Sequence, residues 1–376
     1  MKKKILIAIM VLTLSGGTLL YAQDNGELNA IQTVVPFLMI APDSRAGGMG
    51  DAGVATTPDV YSQHWNPAKY VFIDGNGGIG ISYSPWLRNL VPDINIAYVS
   101  GYGRLDKRQV ISGSLLYSSL GLIPFTDEFG ADLVKFTPNE FALDVAYSRL
   151  FSDHFSGGIA FRFIYSNLAG GYDFQGTAIK AGISMAADIS GYYSNDLSIG
   201  GKEGNYAFGV NFSNIGSKMS YSEDQTGEFI PMNFRLGSSA SVNLDDHNKL
   251  MATIDVNKLL VPTPGGSNPT AAVPVAFFSS WFDAPGGFSE ELHEFTWSPG
   301  LEYWYNNQFA LRGGYFGENQ TKGNRKYFTT GIGLKLKIFT LDFSYLMPLA
   351  QNHPLAHTLR FSLSFDFNKI NTTSTN

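Results

Sequence analysis

The stretch Leu359–Phe367 reads LRFSLSFDF. Leu359, Phe361, Leu363, Phe365 and Phe367 alternate with Arg360, Ser362, Ser364 and Asp366. One face is wholly apolar and the other wholly polar, which is the period-two signature of a β-strand. A polar tail, Asn368–Asn376, follows it.

The same alternation extends back through the chain. Ile332, Leu334, Leu336 and Ile338 alternate with Gly333, Lys335 and Lys337, and Leu341, Phe343 and Tyr345 alternate with Asp342 and Ser344. Phe339 and Thr340 are expected to form the tight hairpin between these two runs. Phe309, Leu311, Gly313 and Tyr315 form another run, joined through Asn306 and Asn307 to Leu301, Tyr303 and Tyr305. Continued toward the N-terminus, the pattern predicts fourteen strands at 77–84, 92–104, 108–121, 138–150, 155–167, 177–192, 204–214, 232–244, 248–260, 296–306, 308–317, 327–338, 340–347 and 356–367. Connections after even-numbered strands are short, with 195–203 as the exception. Several after odd-numbered strands are long: 122–137, 215–231 and 261–295. An even strand count with short turns at one end and long loops at the other predicts an all-β chain, a 14-stranded antiparallel transmembrane β-barrel. Closure also removes the edge strands that lipid does not tolerate. A soluble sandwich or propeller alternates too, but accounts for neither the loop asymmetry nor the aromatic apolar face.

Composition agrees. Aromatic residues make up 14%, with 28 Phe and 19 Tyr, and charged residues only 15%, against about 25% in soluble domains. A mean hydropathy of −0.04 is what alternating strands average to. With no cysteine, no disulfide framework, thiolate site or cysteine nucleophile is possible. A net charge of −6 argues against a nucleic-acid partner.

Upstream of the strands lies Asp43–Lys69, DSRAGGMGDAGVATTPDVYSQHWNPAK, rich in Gly and Ala and without sustained periodicity. It reads as compact irregular backbone and predicts an N-terminal plug. Lys2–Lys4 followed by apolar Ile5–Leu14 read as a signal peptide ending at Ala22, although Leu20 sits where a smaller residue is preferred. The expected organisation is signal peptide 1–22, plug segment 23–76, barrel 77–367 and polar tail 368–376, in the outer membrane of a Gram-negative bacterium with both termini periplasmic.

Little in the chain points to catalysis, and none is expected. Gly48, Gly50 and Gly53 fit G-x-G-x-x-G, but the flanks lack the strand and helix that a dinucleotide site needs. The inner barrel face is expected to carry Arg149, Arg162, Lys335, Asp342, Arg360 and Asp366. Arg45, Asp51, His64 and Asn66 of the plug are expected to partner such groups. Glu290, Glu291, His293 and Glu294 cluster in the longest loop, where a solvated acidic turn is the default over a metal site. No cofactor or metal is expected. Phe277, Phe278, Trp281 and Phe282 sit close together in the same loop. They need either the barrel, as a self-packed lid, or a partner to cover them.

SRAGGMGDAGVAT (44–56), SQHWNPAKY (62–70) and Trp281–Tyr305 resemble segments of PorV, the outer-membrane protein of the type IX secretion system. Asn66-Pro67-Ala68 also resembles a motif of FadL-type transporters, fourteen-stranded barrels with an N-terminal hatch. The PorV resemblance implies a non-enzymatic shuttle. It would bind C-terminal signal domains of cargo at the SprA (Sov) translocon and deliver them to the attachment complex of the PorU sortase, PorQ and PorZ. Outer-membrane lipid would surround it. A transporter of small hydrophobic molecules and a lipopolysaccharide O-deacylase are the alternatives that the resemblances leave.

Overall fold

The structure is a computed structural model that describes residues 28–367, apart from 89–90, 92, 127–131, 172, 175–176, 223–226, 267, 269 and 352. The expected signal peptide, 1–22, and polar tail, 368–376, lie outside the described residues.

Fourteen antiparallel strands close into one barrel. In chain order they are β1 Gly77–Pro85, β2 Ile94–Asp106, β3 Gln109–Leu120, β4 Asn139–Ser152, β5 Phe155–Asn167, β6 Gly182–Ile199, β7 Lys202–Gly216, β8 Asn233–Asn243, β9 Asn248–Leu259, β10 Thr296–Tyr305, β11 Phe309–Gly317, β12 Lys326–Leu336, β13 Phe339–Pro348 and β14 Thr358–Asp366. β1 closes the ring on β14, with Ile81 opposite Leu363 and Ser82 opposite Ser362. Among the described residues no helix is long and apolar enough to cross a membrane. A closed barrel crosses a membrane with strands instead, because its backbone groups pair from strand to strand.

Two sequence expectations are corrected at the turns. The apparent long connection 195–203 does not exist. β6 and β7 run on to Ile199 and Lys202, and Gly200 and Gly201 make the turn at φ +58° and +80°. Their lack of Cβ permits both positive angles. The hairpin between β12 and β13 turns at Lys337 and Ile338, because Phe339 already pairs with Leu336. With these changes every connection at one barrel end is short, and the connections at the other end are longer.

The strand faces follow the alternation. On β14, Arg360 and Ser362 are buried while Phe361 is exposed; on β11, Phe309 and Leu311 are exposed while Ala310 and Arg312 are buried. Arg149 is the exception among the expected inward charges. It shares the outer face with Val145 and Tyr147 and is exposed near the short-turn end, where a guanidinium reaches water or head groups. Leu363→Arg, which puts a charge on the outer face between Ile81 and Leu341, should cost about 2–4 kcal/mol at the bilayer midplane. Urea titration in lipid vesicles measures this, and an unchanged midpoint would remove that face from lipid.

Residues 36–72 run within this ring as short helical turns: Pro36–Met39, Ser44–Gly47, Ser62–Trp65 and Pro67–Phe72. Asp43 accepts from the Ala46 N–H at 2.9 Å, capping the second. Asn66 accepts from the Ala68 N–H at 3.1 Å and caps the fourth, with Pro67 at its first position.

Candidate functional site

The inner segment meets strands on every side. Ser82 of β1 donates to the Pro42 carbonyl, Ser112 of β3 to Gln63, Ser148 of β4 to the Pro67 carbonyl, and Ser239 of β8 to the Ala55 carbonyl. Ser362 of β14 accepts from the Ser44 N–H at 2.8 Å. Asn66 donates to the Val54 carbonyl at 3.1 Å and to Gly191 of β6 at 3.0 Å, so one amide joins both halves of the segment to the wall.

Glycine makes this closeness possible. A Cβ on Gly314 of β11 would lie 2.1 Å from the Met49 carbonyl carbon, and one on Gly209 of β7 would lie 2.3 Å from the Val54 oxygen. Gly50, at φ +73°, would meet the Tyr315 oxygen at 2.4 Å. The glycines of the G-x-G-x-x-G run therefore serve close packing, Gly48 and Gly50 against strand backbone and Gly53 against the Trp65 ring. Gly53 and Val54 donate their N–H groups to Asp255 of β9 at 2.7 and 2.8 Å.

The charged contacts form a chain. Arg45 donates to Glu302 of β10 at 2.8 and 2.9 Å and pairs with Asp59 at 2.8 Å. Glu302 also accepts from Arg312 of β11 at 2.7 Å, and Arg312 reaches Asp342 of β13 at 2.6 Å. Asp51 pairs with Arg360 at 3.2 Å and accepts from the Tyr327 hydroxyl at 2.6 Å. His64 is buried edge-on to Trp65, and its carbonyl accepts from Arg235 at 3.2 Å. Arg162, expected to help join plug and wall, instead binds wall residues: Asp144 at 2.5 Å, Asp188 at 3.2 Å and Asn214. Sequence reading missed Glu302, Arg312, Asp255 and Arg235. Each lies at an inward position of an alternating strand, and that parity was the available signal.

At the long-loop end the 261–295 connection carries two helices, Val273–Ser279 and Phe288–His293. The four loop aromatics separate into two pairs. Phe277 packs 5.7 Å from Phe212, and Trp281 packs 5.1 Å from Phe234, measured between ring centroids. Phe212 and Phe234 alternate with inward Asn211 and Arg235, so the loop is seated on the outer rim of β7 and β8. Phe278 and Phe282 stay 72% and 84% exposed, with Phe288 beside them in the chain at 72%.

The acidic run in this loop faces lysines. Lys258 pairs with Glu291 at 2.6 Å and Glu294 at 2.5 Å; Lys322 pairs with Glu290 at 2.6 Å and Glu294 at 3.0 Å. Among the described residues no group of carboxylates and histidines is placed to hold a metal ion. Burial would raise Glu290, but Lys322, the Gly286 N–H and Asn29 together hold it below the usual carboxylate range. Burial pushes Asp283 up, against the Thr263 donors that hold it down.

Two cavities flank the inner segment and have no lining residue in common. One of about 650 Å³ lies toward the long loops and is lined by Ile31, Met39, Trp86, Phe316, Leu355 and Arg235 among others. The other, about 710 Å³, lies toward the short turns and includes Arg45, Asp59, Glu302 and Asp342.

A family model described as type IX secretion system protein PorV matches residues 22–266. The match ends within the long loop, before its aromatic residues. Among solved structures, the Pseudomonas putida toluene transporter TodX is similar over 90% of this chain and 99% of its own, at 10% identity and a TM-score of 0.51. A deltaS2S3 mutant of TodX, described as a monoaromatic hydrocarbon channel, is similar over 86% and 98%, at 12% identity and a TM-score of 0.52. At these identities the likeness is one of fold. No curated protein sequence matches this chain.

Proposed function

Because the chain belongs to the PorV family of type IX secretion system proteins, we propose that this outer-membrane barrel is a partner-binding shuttle. It receives the C-terminal signal domains of cargo at the SprA (Sov) translocon and passes them to the attachment complex of PorU, PorQ and PorZ. The long-loop end faces the cell surface, and the end of β14 at Asp366 faces the periplasm. Residues 28–35 lie at the long-loop end, where Asn29 donates to the Thr321 carbonyl and Val34 to the Phe229 carbonyl. A periplasmic position is therefore proposed for the C-terminal end alone. Residues 36–72 act as the plug.

The observation that carries this reading is the 261–295 loop. Phe277 and Trp281 fasten it to the rim, while Phe278, edge-on to Phe277, and Phe282 stay largely exposed. Two exposed aromatics on an anchored support match how interfaces concentrate binding energy in a few large side chains. The double variant Phe278→Ala/Phe282→Ala should leave the barrel inserted and reduce copurified partners by about tenfold or more. Undiminished recovery of partners would refute the assignment. The same test on Phe277→Ala/Trp281→Ala reads differently, because it also unseats the loop.

The upper cavity favours a second reading, a barrel that binds a small hydrophobic molecule, since Ile31, Met39, Trp86, Phe316 and Leu355 line it. Transport through the barrel is the weaker form of that reading, as the inner segment lies between the two cavities.

A further inference from the structure

The surface loop is tied to the first residues of the described chain. Glu290 accepts from the Asn29 side chain at 2.8 Å as well as from Lys322. Asn29 donates its backbone N–H to Thr321, the neighbour of Lys322, at 2.8 Å and its side chain to the Pro264 carbonyl at 3.1 Å. Thr263 donates to Glu294 at 2.6 Å, and the Ala284 N–H donates to Glu291 at 3.1 Å. Three glutamates and two lysines thus interlock at the rim. The side chains of Lys258 and Glu294 are 0% and 1% exposed, so salt screens this cluster little.

The arm held here, residues 28–35, covers the upper cavity. Ala30, Ile31, Gln32 and Thr33 line that cavity, and so do Lys258, Glu294 and Lys322. The joint between arm and inner segment is Val35, at φ +49°. A β-branched residue seldom adopts this left-handed backbone, and such strain persists only where the surroundings impose it.

We propose that Lys258, Lys322, Glu290, Glu291 and Glu294 form an ionic clasp through which the 261–295 loop holds the N-terminal arm over the cavity. A polypeptide that engages Phe278 and Phe282 and shifts the loop also releases the arm, which pivots at Val35 and uncovers the cavity. The partner half of this statement rests on the function proposed above; the clasp itself does not. Removing Lys322 leaves Glu290 without a cationic partner and Glu294 with one fewer. Leaving a buried charge unpaired is costly enough to shift a local opening equilibrium.

The chain has no cysteine, so single cysteines report cleanly. In the full chain purified in detergent, Leu28→Cys, at a position 69% exposed, should react fast with a polar maleimide, and Ile31→Cys slowly. Adding Lys322→Met should speed Ile31→Cys by about tenfold or more, whereas Lys322→Arg should keep it slow. An Ile31→Cys rate that Lys322→Met leaves unchanged would overturn the clasp. If Lys322→Met fails to give the heat-modifiable gel shift of a folded barrel, Glu290→Gln replaces it, with the same direction expected. Recovery of partners by Phe278→Ala/Phe282→Ala tests the partner reading separately. A partner-bound chain whose Ile31→Cys reacts no faster than the free chain would overturn the coupling while leaving both other results standing.

Discussion

Glu302→Leu is expected to cost about 3–5 kcal/mol and to admit ions through the barrel, because it removes a buried wall carboxylate that binds both Arg45 of the inner segment and Arg312 of the adjacent strand. Glu302 is 2% exposed and accepts from both Arg45 and Arg312. Without it Arg45 retains Asp59, and Arg312 retains Asp342, but each guanidinium keeps buried N–H groups with no acceptor. Breaking a buried pair on one side costs far more than the intact pair contributes, since the survivor's desolvation is no longer offset. Arg45 is the point at which Ser44–Gly47 grips β10, so its release loosens the segment against the wall. Denaturant midpoints in vesicles read the stability loss, and planar-bilayer recordings read the leak. Unchanged stability would show that the Arg45–Glu302 contact does not hold the segment, and unchanged conductance would show that this contact does not keep ions out of the barrel.

Gly314→Val is expected to be at least as severe, about 3 kcal/mol or more. Overpacking is usually relieved by a rotamer change, but here the obstacle is backbone. The added Cβ would fall 2.1 Å from the Met49 carbonyl carbon and 2.2 Å from the Gly50 nitrogen. Gly50 cannot readily move away, since it sits at φ +73° against Tyr315 and donates to Thr329 at 2.8 Å. The neighbouring Gly313→Val is the control. It points outward, and its Cβ would meet nothing within 4 Å, so the barrel should accept it. Protease accessibility of the 44–56 stretch, compared between the two variants, separates expulsion of the segment from general unfolding. Equal stability of both variants would mean that the close approach of Met49 to β11 is dispensable.

Much of the barrel was legible because period-two alternation is a local property. LRFSLSFDF announces its own two faces, and β13 and β14 were placed within about two residues by pattern alone. Misses occurred where local pattern and pairing diverge. Gly200 and Gly201 resemble part of a loop until β6 and β7 are seen to pair past Asn195 and Asn205. Arg149 is expected inward with the other charges if apolar residues face lipid; register against Gly157 and Gln109 puts it outside. The irregular 43–69 stretch was recognisable as non-periodic. Its partners were not, because Gly53 and Asp255 stand 202 positions apart.

The site was legible in kind more than in detail. Arg45, Asp51, Asn66 and Arg360 do bridge segment and wall, while Arg162 stays within the wall. The loop aromatics were visible as a group, but not their division into Phe277 and Trp281 seated on the rim and Phe278 and Phe282 largely exposed.

By itself the sequence determined the architecture: alternation set the strands and their faces, aromatic content with few charges set lipid as the outer medium, and connection lengths distinguished the two barrel ends. Only the tertiary structure decided which inward charges meet, that glycines on β7 and β11 admit the inner backbone, that the loop is seated on the outer rim, and that its glutamates hold the arm at Asn29. The reason is one of range. Strand periodicity and burial preference act between residues a few positions apart, whereas these contacts join residues that barrel closure alone brings together, and nothing in either stretch names its partner.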